Sequence, residues 1–143
     1  MGAITRLADL NIEPFLIAST LIGVIAQRLV RLVCNNCDEP VSISDDEKFL
    51  LSLPADTDFS RLRRGAGCEK CRKTGYHGRT AVYEILEISD RARAVIRDAA
   101  NEDTVKQMAH PAGMEPLLSS AVRKLIVGQT TTEEILRVIP LSG

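Results

Sequence analysis

The sequence predicts an α+β fold, mainly helical, with a small tetracysteine zinc-binding subdomain inserted between helical segments. Three observations carry this. All four cysteines fall into two C-x-x-C pairs, Cys34–Cys37 and Cys68–Cys71, with 30 residues between them. Apolar residues recur at helical spacing before the first pair and again after residue 89, while residues 81–88 are rich in β-prone side chains. Aromatic residues are only 3% and tryptophan is absent, so the core is aliphatic.

Ala3 to Leu10 reads as a short helix, with Ile4, Leu7 and Leu10 on one face. Asn11 to Pro14 is a break, and Pro14 suits the first turn of a second helix. Phe15 to Ala26 carries no charge and reads as a buried core helix. A membrane span needs about 20 such residues, and Gln27, Arg28 and Arg31 end the run too early. A helix apolar on nearly all sides has to be covered on nearly all sides, which implies packing partners outside this sequence. Leu29 to Val33 leads into the first cysteine pair as an extended segment.

Between the pairs, Ser44-Asp45-Asp46-Glu47 has the form of a capping box, opening a short helix through Phe49, Leu50 and Leu51. Pro54 ends it, a short segment follows around Phe59 to Arg64, and Gly65 and Gly67 shape the entry to the second pair. Gly75 to Thr80 is a glycine-flanked turn before a strand-like run from Ala81 to Ile88. Ser89 or Asp90 caps a helix through Val95, Ile96 and Ala99. Asn101 opens another short helix, carrying Val105 and Met108. Met114, Leu117, Leu118, Ala121, Val122 and Leu125 form a clean amphipathic pattern, ended by Gly128. Thr131 to Glu134 has capping-box form and opens a final helix with Ile135, Leu136 and Val138.

Two C-x-x-C turns facing each other can place four thiolates tetrahedrally, and that is what zinc prefers. Cys34, Cys37, Cys68 and Cys71 are therefore the candidate metal ligands. The competing readings are a redox dithiol, which needs only one pair, and two disulfides, which need an oxidising compartment. His77 could stand in as a ligand, though four thiolates already satisfy zinc and a turn residue is the simpler reading.

Composition narrows the function classes. With 45% apolar and 26% charged residues and a net charge of −1, no global field draws the chain to nucleic acid or to a membrane. No signal peptide is visible, so a reducing, cytosolic setting is expected. Seven basic residues lie between Arg61 and Arg79, opposed only by Glu69. They could bind nucleic acid, or they could offset the charge of about −2 on a zinc tetrathiolate. No G-x-x-x-x-G-K-[ST] loop, no G-x-G-x-x-G turn and no nucleophile–histidine pairing is present. The acidic pairs Asp45/Asp46 and Glu133/Glu134 sit at helix starts, where a dipole role is sufficient.

Several stretches, in order, carry a family resemblance. They are residues 2–7 (GAITRL), 12–16 (IEPFL), 26–31 (AQRLVR), the two cysteine pairs, 75–80 (GYHGRT), 128–131 (GQTT) and 133–138 (EEILRV). Together they resemble the C-terminal part of the type II secretion and type IV pilus assembly ATPases. These are cytoplasmic, hexameric P-loop enzymes that act at the inner membrane. The cysteine insertion is more similar to the secretion and pilus-extension members than to the retraction members.

The resemblance implies the C-terminal portion of a RecA-like ATPase domain. Residues 1–33 would be the tail of the nucleotide-binding core, 34–78 the zinc-binding subdomain and 79–143 a C-terminal helical subdomain. The phosphate loop and magnesium-binding motifs would lie before residue 1. ATP and magnesium would thus bind only in a full-length enzyme, and this chain alone is expected to be inactive. The implied partners are further protomers of a homo-hexamer and inner-membrane platform proteins. Neither nucleic acid nor a direct membrane span is expected. Arg79, in the glycine-flanked turn, would be a nucleotide or protomer-interface contact. The other readings are an independent nucleic-acid-binding zinc ribbon and a free-standing interaction module.

Overall fold

The structure is a computed structural model and describes residues 2–54, 56–98 and 115–140. The helix expected after Asn101 lies outside the described residues. The chain is α+β. It comprises helices α1 (Gly2–Asp9), α2 (Pro14–Thr20), α3 (Asp45–Leu50), α4 (Asp90–Asp98), α5 (Leu117–Ile126) and α6 (Thr132–Val138). The strands are β1 (Gly23–Val33), β2 (Asp38–Pro40), β3 (Arg63–Gly65) and β4 (Tyr76–Glu87). β1 pairs with β4, and β2 pairs antiparallel with β3, Glu39 facing Arg64. The chain divides into two compact units, residues 1–26 with 84–116, and residues 27–83 with 117–143.

In the first unit, Ile4 of α1, Ile17 and Ala18 of α2, Leu86 and Ile88, and Ala92 and Ile96 of α4 form one aliphatic core. Pro14 stands in the first turn of α2 as expected. The single helix expected from Phe15 to Ala26 does not form, because α2 stops at Thr20 and Gly23 already belongs to β1. The cause is local and then tertiary. The hydroxyls of Ser19 and Thr20 donate back to the Leu16 carbonyl, and Leu21 turns to extended backbone. Val24 and Ile25 are β-branched, and strand pairing with β4 decides for them. The extended segment expected from Leu29 is thus the second half of a longer strand. Ser89 does cap α4, its hydroxyl accepting from the Ala92 N–H.

The second unit is built around Val30, Leu51, Leu62, Val82, Ala121, Leu125, Ile135 and Ile139. The capping box of α3 is complete: Ser44 Oγ accepts from the Glu47 N–H at 3.2 Å, and Glu47 Oε2 accepts from the Ser44 N–H at 2.9 Å. Gly128 closes α5 with φ +76°, and an added Cβ there would lie 2.4 Å from the Arg61 carbonyl oxygen. At α6 only half of the expected capping box exists. Thr131 Oγ1 accepts from the Glu134 N–H at 3.2 Å, but the Glu134 carboxylate turns inward to two arginines.

Candidate metal centre and arginine cluster

Each cysteine pair sits in a tight turn. The Cys37 N–H donates to the Cys34 carbonyl, and after the second pair the N–H groups of Arg72, Lys73 and Thr74 donate to Glu69, Cys68 and Cys71. Arg72 and Lys73 take left-handed backbone, φ +55° and +62°, which folds the chain back over the second pair. The Cys34 N–H donates to the Gly75 carbonyl and the Ala66 N–H to the Cys37 carbonyl, so main chain locks the two turns face to face. That approach needs glycine, since a Cβ on Gly65 would lie 2.0 Å from the Gly75 oxygen.

All four sulfurs lie within 4.8 Å of one another. Sγ–Sγ separations are 3.9 Å for Cys34–Cys68, 3.9 Å for Cys37–Cys71 and 3.7 Å for Cys68–Cys71. None is a disulfide. A tetrahedron with metal–sulfur bonds near 2.3 Å has an edge of about 3.8 Å, so the spacing fits a tetrathiolate metal site. Thiolate donors and this geometry suit zinc among the common divalent ions.

The donors around the sulfurs favour thiolates. Gly67 N–H reaches Cys37 Sγ at 3.3 Å, the Cys68 and Gly75 N–H groups reach Cys71 Sγ at 3.2 and 3.3 Å, and Asn36 Nδ2 reaches Cys68 Sγ at 3.4 Å. The Cys68 backbone N–H brings the Cys71 thiol down to about 6, and a backbone hydrogen bond at Cys71 lowers Cys68. Burial and the neighbouring sulfurs push Cys37 up to about 12. Sulfurs this close compete for negative charge, and a divalent cation at their centre relieves the competition for all four.

His77 is exposed and falls outside this four-sulfur cluster. Within the basic run, Arg63 pairs with Asp38 at 3.6 Å, Arg64 with Glu39 at 2.7 Å and Lys73 with Glu69 at 2.9 Å. Part of the charge that suggested nucleic acid is thus answered locally.

A second cluster brings together residues that no sequence motif links. Glu134, fully buried, accepts from the Arg31 backbone N–H at 2.9 Å and Arg31 Nε at 2.8 Å. It also accepts from Arg137 Nε at 2.8 Å and Nη2 at 2.7 Å. Arg31 stacks on the Tyr76 ring at 4.0 Å, and the Tyr76 hydroxyl meets Thr131 Oγ1 at 2.7 Å. Arg79 shares a cleft with Leu29, Arg31 and Arg137. It is exposed and has no ion pair or side-chain hydrogen bond among the described residues. The only signal in the sequence was Glu134 and Arg137 at i, i+3 on one helix. Arg31 is 103 residues away and leaves no local trace.

No helix among the described residues is long and apolar enough to cross a membrane. A family model described as Type II/IV secretion system protein matches residues 1–137. The chain is 42% identical over 139 residues to type II secretion system protein E of Pseudomonas aeruginosa, covering 96% of this chain and 27% of that protein. It is 41% identical over 137 residues to the type IV pilus assembly ATPase PilB of Thermus thermophilus, covering 94% and 15%. It is 38% identical over 144 residues to the type IV pilus assembly ATPase TfpB of Acinetobacter baylyi, covering 99% and 24%. The chain spans about a quarter or less of the length of these curated relatives.

Proposed function

The chain belongs to the type II/IV secretion system protein family, and from that premise we propose that it is the C-terminal, zinc-bearing portion of a cytoplasmic ATPase that powers type II secretion or type IV pilus assembly. The observation that carries this reading is the family match along nearly the whole chain, together with a four-sulfur cage of tetrahedral spacing. Cys34, Cys37, Cys68 and Cys71 hold one zinc. The ion supplies a cross-link between two turns, and its binding energy is folding energy. The role is assembly and coupling within a homo-hexamer that works with platform proteins at the inner membrane, without nucleic acid. ATP and magnesium bind only where a phosphate loop and acidic magnesium ligands are present, and neither motif occurs in these residues. Arg79 acts at the nucleotide or at the protomer interface, supported by its exposure and its lack of a partner among the described residues.

The test joins this chain to a nucleotide-binding portion of a relative and compares ATP turnover and hexamer formation with and without Arg79→Lys. The isolated chain is expected to hydrolyse no ATP, and the joined enzyme to form a hexamer and turn over. Arg79→Lys should cut turnover by about tenfold or more with zinc content unchanged, because lysine keeps the charge but loses the bidentate fork. Robust hydrolysis by the pure isolated chain overturns the coupling-only reading. Near-normal turnover in the lysine variant overturns the role of Arg79.

A further inference from the structure

We propose that Arg31, Arg79 and Arg137 together form a binding cleft for a phosphoryl group. The inference deepens the reading of Arg79 and rests on it for that side chain alone. It is drawn from how three elements of the second unit converge. Arg31 comes from β1, Arg79 from β4 and Arg137 from α6, and with Leu29 they line a cleft of about 440 Å³.

Two of the three guanidiniums are fixed before any ligand arrives. The buried Glu134 carboxylate takes Nε and Nη2 of both Arg31 and Arg137 at 2.7–2.8 Å. The Tyr76 ring covers one face of Arg31. Each of these arginines therefore spends one edge of its fork on Glu134 and keeps Nη1 without a partner among the described residues. Arg79 spends none of its donors there. Glu133 also acts on Arg137, so Arg79 is the cation of the cleft left without a counter-charge among the described residues. Holding two forks in place removes most of the ordering cost of binding.

The geometry selects the ligand class. One guanidinium suffices to chelate one carboxylate. The whole fork of Arg79, together with the remaining Nη1 groups of Arg31 and Arg137 from two other elements of the cleft lining, supplies more donors than one carboxylate needs, which suits the three oxygens of a phosphoryl group.

The test titrates inorganic phosphate into the zinc-loaded 143-residue chain at low ionic strength, followed by amide and arginine Nε–H resonances. Saturable binding is expected at a Kd of about 1–10 mM, with shifts at Arg31, Arg79 and Arg137. Arg79→Gln should weaken it about tenfold, while zinc content and the rest of the spectrum stay unchanged. Arg72→Gln, on the cysteine turn, should leave it intact. No saturable shift up to about 50 mM phosphate overturns the proposal. So does equal weakening by Arg72→Gln, which would mean diffuse charge, and so does acetate binding as tightly as phosphate, which would mean a carboxylate site. Zinc content and ATP turnover are read separately, so failure here leaves the family and metal readings standing.

Discussion

Arg31 and Glu134, 103 residues apart, are joined by three contacts: the Arg31 backbone N–H at 2.9 Å, its Nε at 2.8 Å and its Nη2 at 2.7 Å from the carboxylate. The backbone contact ties β1 itself to the first turn of α6. The side-chain contacts aim the guanidinium over Tyr76 and toward Arg79's cleft. A single buried carboxylate therefore sets both the docking of the last helix and the electrostatics of the arginine cluster.

Replacing it should be costly. Glu134→Gln keeps the shape but removes the charge that both arginines answer, and a loss of about 2–4 kcal/mol is expected in urea unfolding. The pH dependence follows from the same contacts. Burial alone would raise the Glu134 pKa. Hydrogen bonds from Arg137 and Arg31 outweigh it and hold the carboxyl at about 2, against an ordinary 4.5. A folded-state pKa below the unfolded one contributes stability above the unfolded value and loses it as pH falls through the folded value. The stability gap between wild type and Glu134→Gln should be full at neutral pH and shrink between about pH 4.5 and about pH 2. A gap that is flat across that window would show that the charge contributes nothing.

The metal prediction is stoichiometric. Protein purified under reducing conditions without chelator should carry about one zinc per chain, and Cys71→Ser less than about a fifth of that. Removing the ion should strip hydrogen-exchange protection from the amides of Ala66, Lys73 and Thr74, whose bonds hold the turns together. Full zinc content in Cys71→Ser would overturn the tetrathiolate assignment.

Gly65→Ala tests the support of the cage rather than its ligands. The new methyl would sit 2.0 Å from the Gly75 oxygen and 2.5 Å from its Cα. Gly75 in turn donates to Cys71 Sγ and accepts from the Cys34 N–H. Zinc affinity, measured by chelator competition, should fall about tenfold or more. Gly23→Ala, whose Cβ meets only the Leu86 oxygen at 3.3 Å, should leave zinc affinity unchanged. Equal affinities for wild type and Gly65→Ala would mean that the turns can separate freely.

The sequence by itself determined the features that short-range chemistry controls. Two C-x-x-C pairs with no cysteine left over specify the composition of the cage. Ser44 and Glu47, three residues apart, specify a helix start. Gly128 marks a helix end that only a residue tolerant of positive φ makes cheaply. The ordered family segments are likewise linear information. Tertiary structure decided the rest. Gly23 to Ala26 is apolar enough for a buried helix or a strand, and only the presence of β4 beside it selects the strand. Glu134 has the spacing of a capping residue, yet its carboxylate turns to Arg31 and Arg137, because a buried charge gains more from two guanidiniums than from one backbone N–H. The convergence of Arg31, Arg79 and Arg137 has no sequence signature, since residues on separate elements meet only when the chain has folded.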